Sequence, residues 1–436
     1  MEGDYIRINH WLKPLSWLYG IGVWIRGFLF DNNIIKSKEY PFPIIGVGNI
    51  TVGGSGKTPH VEYLVKILHE TLQIAVLSRG YKRKSKGFVL AKRDTPMTEI
   101  GDEPFQIHRK FPDIHVAVDA NRCRGIETIM SGEETHNTDV IILDDAYQHR
   151  YVTPGLNILL VDYHRLISND ALLPAGRLRE PASAKCRADI VIMTKCPTGM
   201  KPMDYRILQR AMSLMPFQKM FYTTIVQKPL IPLFPPEAPE APEIRDESQL
   251  PTVLLITGIA SPEHMIADFE GKCKRLVTMK FSDHHPFSSS DVEAINMQYR
   301  MIEKPAIIIT TEKDGVRLSN TPGLAEAVRK AIYIQPIEVR FIQDEEIFID
   351  TIEKYVHKSN RYSNLATRAT QQSSIAVPRP TPQPRNEQPQ STERDFVPNA
   401  ENSNNTWNRP RPVGTGNQGG TGIPIQRHPT FPGFDS

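Results

Sequence analysis

Residues 48–60 read GNITVGGSGKTPH, and this stretch restricts the fold more than any other. Three glycines, a serine, a lysine and a threonine fill positions 53–58. The apolar run FPIIGVGNI before them predicts a strand. PHVEYLVKILHE after them, with Val61, Leu64, Val65 and Leu68 in register, predicts an amphipathic helix. Strand, glycine turn and helix together make a cradle for phosphate. Bare backbone N–H groups converge on the oxygens and the helix start adds a positive dipole; Lys57 reaches the β- and γ-phosphates, and Thr58 offers its hydroxyl to Mg²⁺. Pro59 is tolerated because the first helical turn has no N–H partners to lose. Thr51 stands where the general pattern has glycine. The expected nucleotide-binding set is Thr51, Val52, Gly53, Gly54, Ser55, Gly56, Lys57 and Thr58.

The chain around this loop alternates strands and helices. QIAVLSRGY, IHVAVDANR, DVIILDDAYQH, LNILLVDY and ADIVIMTKC read as strands, each ending in polar residues; EPFQIHRKF and CRGIETIM read as helices. Alternation of this kind implies a mainly parallel sheet covered on both faces, with ligands at the carboxyl ends of its strands. A proline-rich acidic stretch, PLIPLFPPEAPEAPEIRDE, then reads as a linker. TVLLITGIA, RLVTMKFSDHHPF, a helix over 289–301, AIIITTEKDG and AIYIQPIEVRF form a second α/β block. The expected fold class is α/β. It has two α/β/α sandwich domains, the first of P-loop NTPase type, and a disordered C-terminal tail. The expected segments are 1–30, a membrane-associating helical piece; 31–220, the P-loop domain; 221–250, the linker; 251–360, a smaller α/β domain; and 361–436, the tail. The tail is Pro, Gln, Asn, Ser, Thr, Gly and Arg with few aliphatics, too little apolar area to offset its ordering entropy.

Composition removes several classes. Net charge is only +3, which gives no footprint for nucleic acid. Cys123, Cys186, Cys196 and Cys273 have no C-x-x-C spacing, which argues against structural zinc or a redox motif. No run of about 18 apolar residues offers a membrane span. The N-terminal stretch RINHWLKPLSWLYGIGVWIRGFLF is different. It holds Trp11, Trp17 and Trp24, three of the chain's four tryptophans, with Arg7, Lys13 and Arg26 interleaved. Such a segment either lies on a membrane interface or packs on its own domain, with Pro14 and Gly20 expected to break it into short pieces.

A triphosphate site needs a second metal contact at a neighbouring strand end. Asp144 and Asp145 close the apolar strand VIIL and fit that role. The loop alone does not separate kinase, ATPase and GTPase. Thr194-Lys195 is a faint likeness of a guanine-reading motif that lacks its asparagine and aspartate. A kinase acting on a hydroxyl profits from a carboxylate or histidine near the acceptor. Asp102 and Glu103 of GDEP, and Asp283, His284 and His285 of SDHHPF, are the candidates; the alternative readings are a helix-start charge and a surface turn.

PLSWLYG, VGNITVGGSGKTP, LSRGY, GDEP, DDAYQHR, LLPAGRLREP, FSDHHPF and TEKD occur together in this order. The set resembles the tetraacyldisaccharide 4′-kinase family over roughly residues 12–356, and that family also carries threonine at the Thr51 position. Ala146 departs from its usual glycine and Arg177 from its usual proline; alanine at 146 would be strained if the position needs φ > 0. The resemblance implies ATP and Mg²⁺, and γ-phosphoryl transfer to the 4′-hydroxyl of a lipid A disaccharide 1-phosphate. It implies two domains joined by a two-stranded linker, and a catalytic pair of Asp102 with His284, His285 being the alternative. It implies Thr58, Glu103, Asp144 and Asp145 around the metal. Arg79, Arg122, Gln148, His149 and Arg179 are the expected substrate contacts, the arginines being otherwise ordinary surface cations. It places the chain peripherally on the cytoplasmic face of the bacterial inner membrane, held to an anionic surface by its N-terminal segment. No stable protein partner is expected. The rival reading is a membrane-attached nucleotide switch without an acceptor.

Overall fold

The computed structural model describes residues 8–235, 237–238, 251–259, 262–283 and 285–374. The tail expected as disordered lies outside them from residue 375, as do residues 236 and 239–250 of the expected linker and His284.

Among the described residues, fourteen strands form two sheets. In chain order they are β1 (Ile44–Gly48), β2 (Ile74–Ser78), β3 (Val89–Leu90), β4 (His115–Val118), β5 (Val140–Asp144), β6 (Leu156–Asp162), β7 (Ile190–Thr194), β8 (Lys219–Gln227), β9 (Ile231–Pro232), β10 (Thr252–Thr257), β11 (Leu276–Lys280), β12 (Ala306–Thr311), β13 (Ile332–Gln335) and β14 (Ile337–Phe341). The larger sheet runs β14-β8-β7-β6-β1-β5-β2-β4-β3 and the smaller β11-β10-β12-β13-β9. Pairing is parallel except at the margins, where β3–β4, β8–β14 and β9–β13 are antiparallel. This is the expected α/β class with parallel-dominated sheets.

The central strands are apolar on both faces because both faces are covered. Along β5, Val140 and Ile142 join the core under the Lys57–Leu68 helix, while Ile141 and Leu143 join the core beside Ile126 and Ile129 of the Arg122–Ser131 helix. A strand with only one buried face would alternate apolar with polar residues; this one does not.

The chain crosses between the sheets twice, at Lys228 and at Pro336. Lys228 N–H donates to the Pro336 carbonyl at 3.0 Å, and the Gln335 side-chain amide donates to the Lys228 carbonyl at 2.6 Å. The second crossing splits AIYIQPIEVRF, expected as one element, into β13 and β14. Pro336 has no N–H to donate, so the ladder cannot continue through it. From Ile337 onward the chain therefore belongs to the larger sheet, not to the smaller domain in which residues 337–360 are expected.

The Glu345–Ser374 helix then returns across the larger sheet and runs beyond the expected boundary at 361. Phe348, Ile352 and Val356, four residues apart, enter the core under β1. Tyr355 Oη accepts from Ile44 N–H and donates to the Ile44 carbonyl, both at 3.0 Å. Another expectation fails at the N-terminus: Lys13–Asp31 is one continuous helix. Pro14 sits in its first turn, where no backbone bond is lost, and Gly20 sits close under the Leu172 side chain.

Phe348 is buried against Phe221, Phe341 and Tyr63. Phe348→Ala is expected to cost about 3–5 kcal/mol of unfolding free energy, measured by denaturant titration. A loss well under 1 kcal/mol would mean that this helix is not part of the cooperative core.

Candidate active site

The phosphate loop leaves β1 and is pinned from three sides. Thr51 bridges to Leu178, and Val52 N–H donates to the Arg177 carbonyl at 2.8 Å. The Ser55 carbonyl accepts from Thr194 Oγ1 at 3.1 Å. The Gly56 carbonyl lies 2.7 Å from His60 Nδ1, whose other nitrogen is 3.0 Å from Thr223 Oγ1 on β8. Burial pushes His60 down to about 4, so it is a neutral strut. Gly53 and Gly56 take φ of +116° and +81°, which L side chains resist. No side chain caps the helix that starts at Lys57. Its first N–H groups are therefore available to an anion.

Lys57 Nζ lies 3.4 Å from Asn49 Oδ1 and 3.6 Å from Asp145 Oδ1, both long contacts that a phosphate can replace. Thr58, half-buried, is the second residue of the helix. Parallel pairing of β1 with β5 sets Val47 beside Asp144, which is why loop and acids share one sheet edge.

Asp144 is almost fully buried. Its Oδ2 accepts from Ser78 Oγ at 3.1 Å, whereas its Oδ1 has no hydrogen-bond partner among the described residues. Burial, then the Glu103 and Asp145 charges, push it up to about 7 against the pull of Lys57 and Ser78. Burial would also raise Asp145, but Lys57, Arg179 and Arg122 outweigh it and hold that carboxyl low. It is Asp145, at φ +48°, and not Ala146, that takes the left-handed conformation. Alanine in place of glycine at 146 therefore carries no backbone strain; Ala146 N–H simply donates to the Val47 carbonyl at 3.2 Å.

The expected substrate contacts separate into two groups. Arg179 Nη1 lies 3.5 Å from Asp145 Oδ2 and 3.3 Å from Gln148 Oε1, and Gln148 Nε2 donates to the Asn49 carbonyl at 2.6 Å. His149 is held neutral, lowered to about 4 by burial and by Arg122, Arg26 and Arg79; Arg79 itself is exposed. Arg122 is buried and turned inward, with Nη1 on the Asp119 carbonyl and Nη2 on the Asp144 carbonyl at 3.1 Å. It braces the end of β5 from behind.

The N-terminal helix is part of this site, which motif reading alone does not reveal. Tyr19 Oη donates to the Arg179 carbonyl at 2.8 Å and Arg26 Nη2 to the Gln148 carbonyl at 2.8 Å. Ser16 Oγ donates to the Leu172 carbonyl at 3.0 Å. Its other side is exposed: Trp17 is 72% exposed, and Leu18, Ile21, Trp24, Ile25 and Phe28 are also exposed, as is Trp11 in the 3₁₀ turn His10–Leu12 just before it.

GDEP opens the Asp102–Lys110 helix and faces the Glu312–Ser319 helix of the smaller domain. Arg317 Nε and Nη2 donate to Asp102 Oδ2 at 2.8 and 2.5 Å, and Lys313 Nζ lies 2.6 Å from Glu103 Oε1. Lys313 belongs to TEKD, a motif without an expected side-chain role, and Arg317 lies three residues beyond it; their i, i+4 spacing was the available signal. His285, the alternative to His284, is otherwise engaged. Its Nε2 is 3.0 Å from Asp291 Oδ2, and its ring stacks on Phe281 at 5.0 Å. Asp291 completes the capping box of the Ser289–Met301 helix with Ser288. His285 thus builds a helix start. Thr194 and Lys195 are spent too, one on the Ser55 carbonyl and the other on Asp162 at 2.7 Å.

Known proteins resemble this chain over most of its length. The model of the tetraacyldisaccharide-1-P 4′-kinase family matches residues 8–357. A tetraacyldisaccharide 4′-kinase of Phocaeicola vulgatus is 53% identical over 368 residues, 84% of this chain and 100% of its own length. One from Bacteroides fragilis is 48% identical over 373 residues, 84% of this chain and 98% of its own. The crystal structure of LpxK from Aquifex aeolicus in complex with ATP superposes with a TM-score of 0.61 at 28% identity, covering 79% of this chain and 98% of that one. The chain belongs to the tetraacyldisaccharide-1-phosphate 4′-kinase family.

Proposed function

We propose that this protein transfers the γ-phosphoryl group of ATP to the 4′-hydroxyl of a tetraacyldisaccharide 1-phosphate in lipid A biosynthesis. One observation carries the reading: Lys57, at the uncapped helix start, meets Asp145 and the buried Asp144 at the carboxyl edge of the larger sheet, while Asp102 is held by Arg317 where the two domains meet. ATP in the Aquifex aeolicus relative supports the same donor here. The helix-start N–H groups bind the phosphates, and Lys57 exchanges its long contacts for the transferring group, whose charge it stabilises. Asp102 takes or orients the hydroxyl proton, with His284 holding it; Arg79, Gln148, His149 and Arg179 line the acceptor side. Engagement of Thr194 and Lys195 within the fold disfavours a guanine-reading switch. Incubation with γ-labelled ATP and the disaccharide acceptor is expected to label the lipid, GTP in parallel is expected to be poor, and Lys57→Ala is expected to lose most turnover. Lipid labelling by Lys57→Ala at the wild-type rate would remove the phosphate loop from the mechanism.

The residues present fit Mg²⁺. Asp144 Oδ1, buried and without a partner among the described residues, is the atom that would hold the ion, with Thr58, Asp145 and Glu103 proposed as the further ligands. Bound there, the ion supplies positive charge to the phosphate oxygens. Asp144 carries a proton below about pH 7, so metal has to displace it and Mg²⁺ affinity falls as pH falls through 7. The thermal upshift given by Mg²⁺-nucleotide is therefore expected to be larger at pH 8 than at pH 6. Asp144→Asn should abolish most of the upshift at both. An equal upshift in the variant would exclude Asp144 as a ligand.

We further propose that the bare side of the Lys13–Asp31 helix rests on the anionic cytoplasmic face of the inner membrane, with its indoles at the interface. No helix among the described residues is long and apolar enough to cross a membrane. Deleting this helix would also remove the Tyr19 and Arg26 contacts, so point changes test it more cleanly. Trp17→Ser with Trp24→Ser should weaken cosedimentation with anionic vesicles while leaving turnover of detergent-dispersed acceptor nearly unchanged. Undiminished vesicle binding would refute the docking face.

A further inference from the structure

We propose that Arg317 is a positioning residue for Asp102, gripping its carboxylate from the opposite domain. The proposal rests on the reading of Asp102 as the group that meets the acceptor hydroxyl. Two guanidinium nitrogens, Nε and Nη2, converge on the single oxygen Oδ2 at 2.8 and 2.5 Å. A planar fork that bonds a carboxylate twice fixes its orientation; a flexible ammonium at the end of four methylenes does not.

Arg317 is itself locked. Its side chain is 5% exposed, and Nη1 donates to Asp314 Oδ1 at 3.0 Å. Asp314 is fully buried, and its Oδ2 accepts from Gly258 N–H at 2.7 Å and Thr311 Oγ1 at 2.8 Å. Gly258 follows β10 and Thr311 ends β12, so a continuous set of short bonds runs from the carboxyl edge of the smaller sheet to Asp102. Around it, Lys313 holds Glu103, and Lys110 reaches both Glu312 at 3.1 Å and Glu62 of the phosphate-loop helix at 2.6 Å. Those flanking pairs are more exposed and contribute little individually. The Arg317 pair is the enclosed one. It exists only while the two domains face each other as they do here, so the Asp102 carboxylate is oriented by domain docking. Misplacement of a reacting group by about 1 Å costs on the order of a hundredfold in rate.

The test is steady-state kinetics on the full chain with Mg²⁺-ATP and disaccharide acceptor, for wild type, Arg317→Gln, Arg317→Lys, Asp102→Asn and the Asp102→Asn/Arg317→Gln pair. Arg317→Gln is expected to lower kcat by roughly ten- to a hundredfold with the KM for ATP nearly unchanged, because the nucleotide contacts are untouched. Arg317→Lys should fall between, keeping the charge but not the fork. The double variant should be no slower than Asp102→Asn alone. Wild-type or faster turnover in Arg317→Gln, or losses that multiply in the double variant, would overturn the proposal and leave Arg317 a domain tie. If Arg317→Gln melts too low to assay, a folded Arg317→Lys with wild-type kcat overturns it equally. Asp102→Asn with wild-type turnover would instead strike down the reading of Asp102 itself, and the positioning role with it.

Discussion

The parallel pairing of β1 with β5 is the interaction on which the rest depends. Its register sets Val47 beside Asp144, so the strand that launches the phosphate loop ends next to the strand that ends in acids. Moving either strand by one residue would exchange its two faces and turn Ile142 and Ile45 out of their core. The apolar content of the sheet therefore enforces the spacing between Lys57 and the carboxylates. Asp144 then sits in a place that is poor for a charge, with one oxygen satisfied by Ser78 and the other by nothing among the described residues. A divalent cation bound there, as proposed, would relieve that local cost.

The second constraint is the way the two sheets are joined. Lys228 and Pro336 bond across the two crossings, so the domains share one narrow antiparallel junction. The chain does not end in the smaller domain. β14 and the Glu345–Ser374 helix come back to the larger sheet and place Phe348, Ile352 and Val356 beneath β1. The smaller domain is thus an insertion held at both ends by the larger core. Ion pairs of Arg317, Lys313 and Glu312 also tie it to that core, at Asp102, Glu103 and Lys110.

The N-terminal helix has two unlike sides for a reason that the geometry makes plain. Its polar side donates to carbonyls of the loops that carry Gln148 and Arg179. Its other side carries exposed tryptophan, phenylalanine and aliphatic side chains that no other described element covers. A membrane-resting helix seated on these loops, as proposed, would couple the position of a bilayer-borne acceptor to Gln148 and Arg179.

Much of this was legible in the sequence. Glycines, Lys57 and a following amphipathic pattern specify strand, loop and helix by local sterics and periodicity alone, and aspartates closing an apolar strand announce a buried acid. Family likeness supplied the reaction. What the sequence by itself did not determine is which distant groups meet. Asp102 and Arg317 are 215 positions apart, and nothing local distinguishes an arginine that grips a carboxylate from one on a solvated helix. Arg122 reads like any substrate cation until the fold turns it inward against the Asp144 carbonyl. Likewise His284 and His285 are identical neighbours in sequence; only the packing of His285 between Phe281 and Asp291 assigns it to a helix cap. Pro336 signals a break, but whether the chain stays in one sheet or crosses to another depends on which edge offers unpaired N–H and C=O groups. Local chemistry decided the elements, and long-range pairing and burial, which no short window contains, decided their partners.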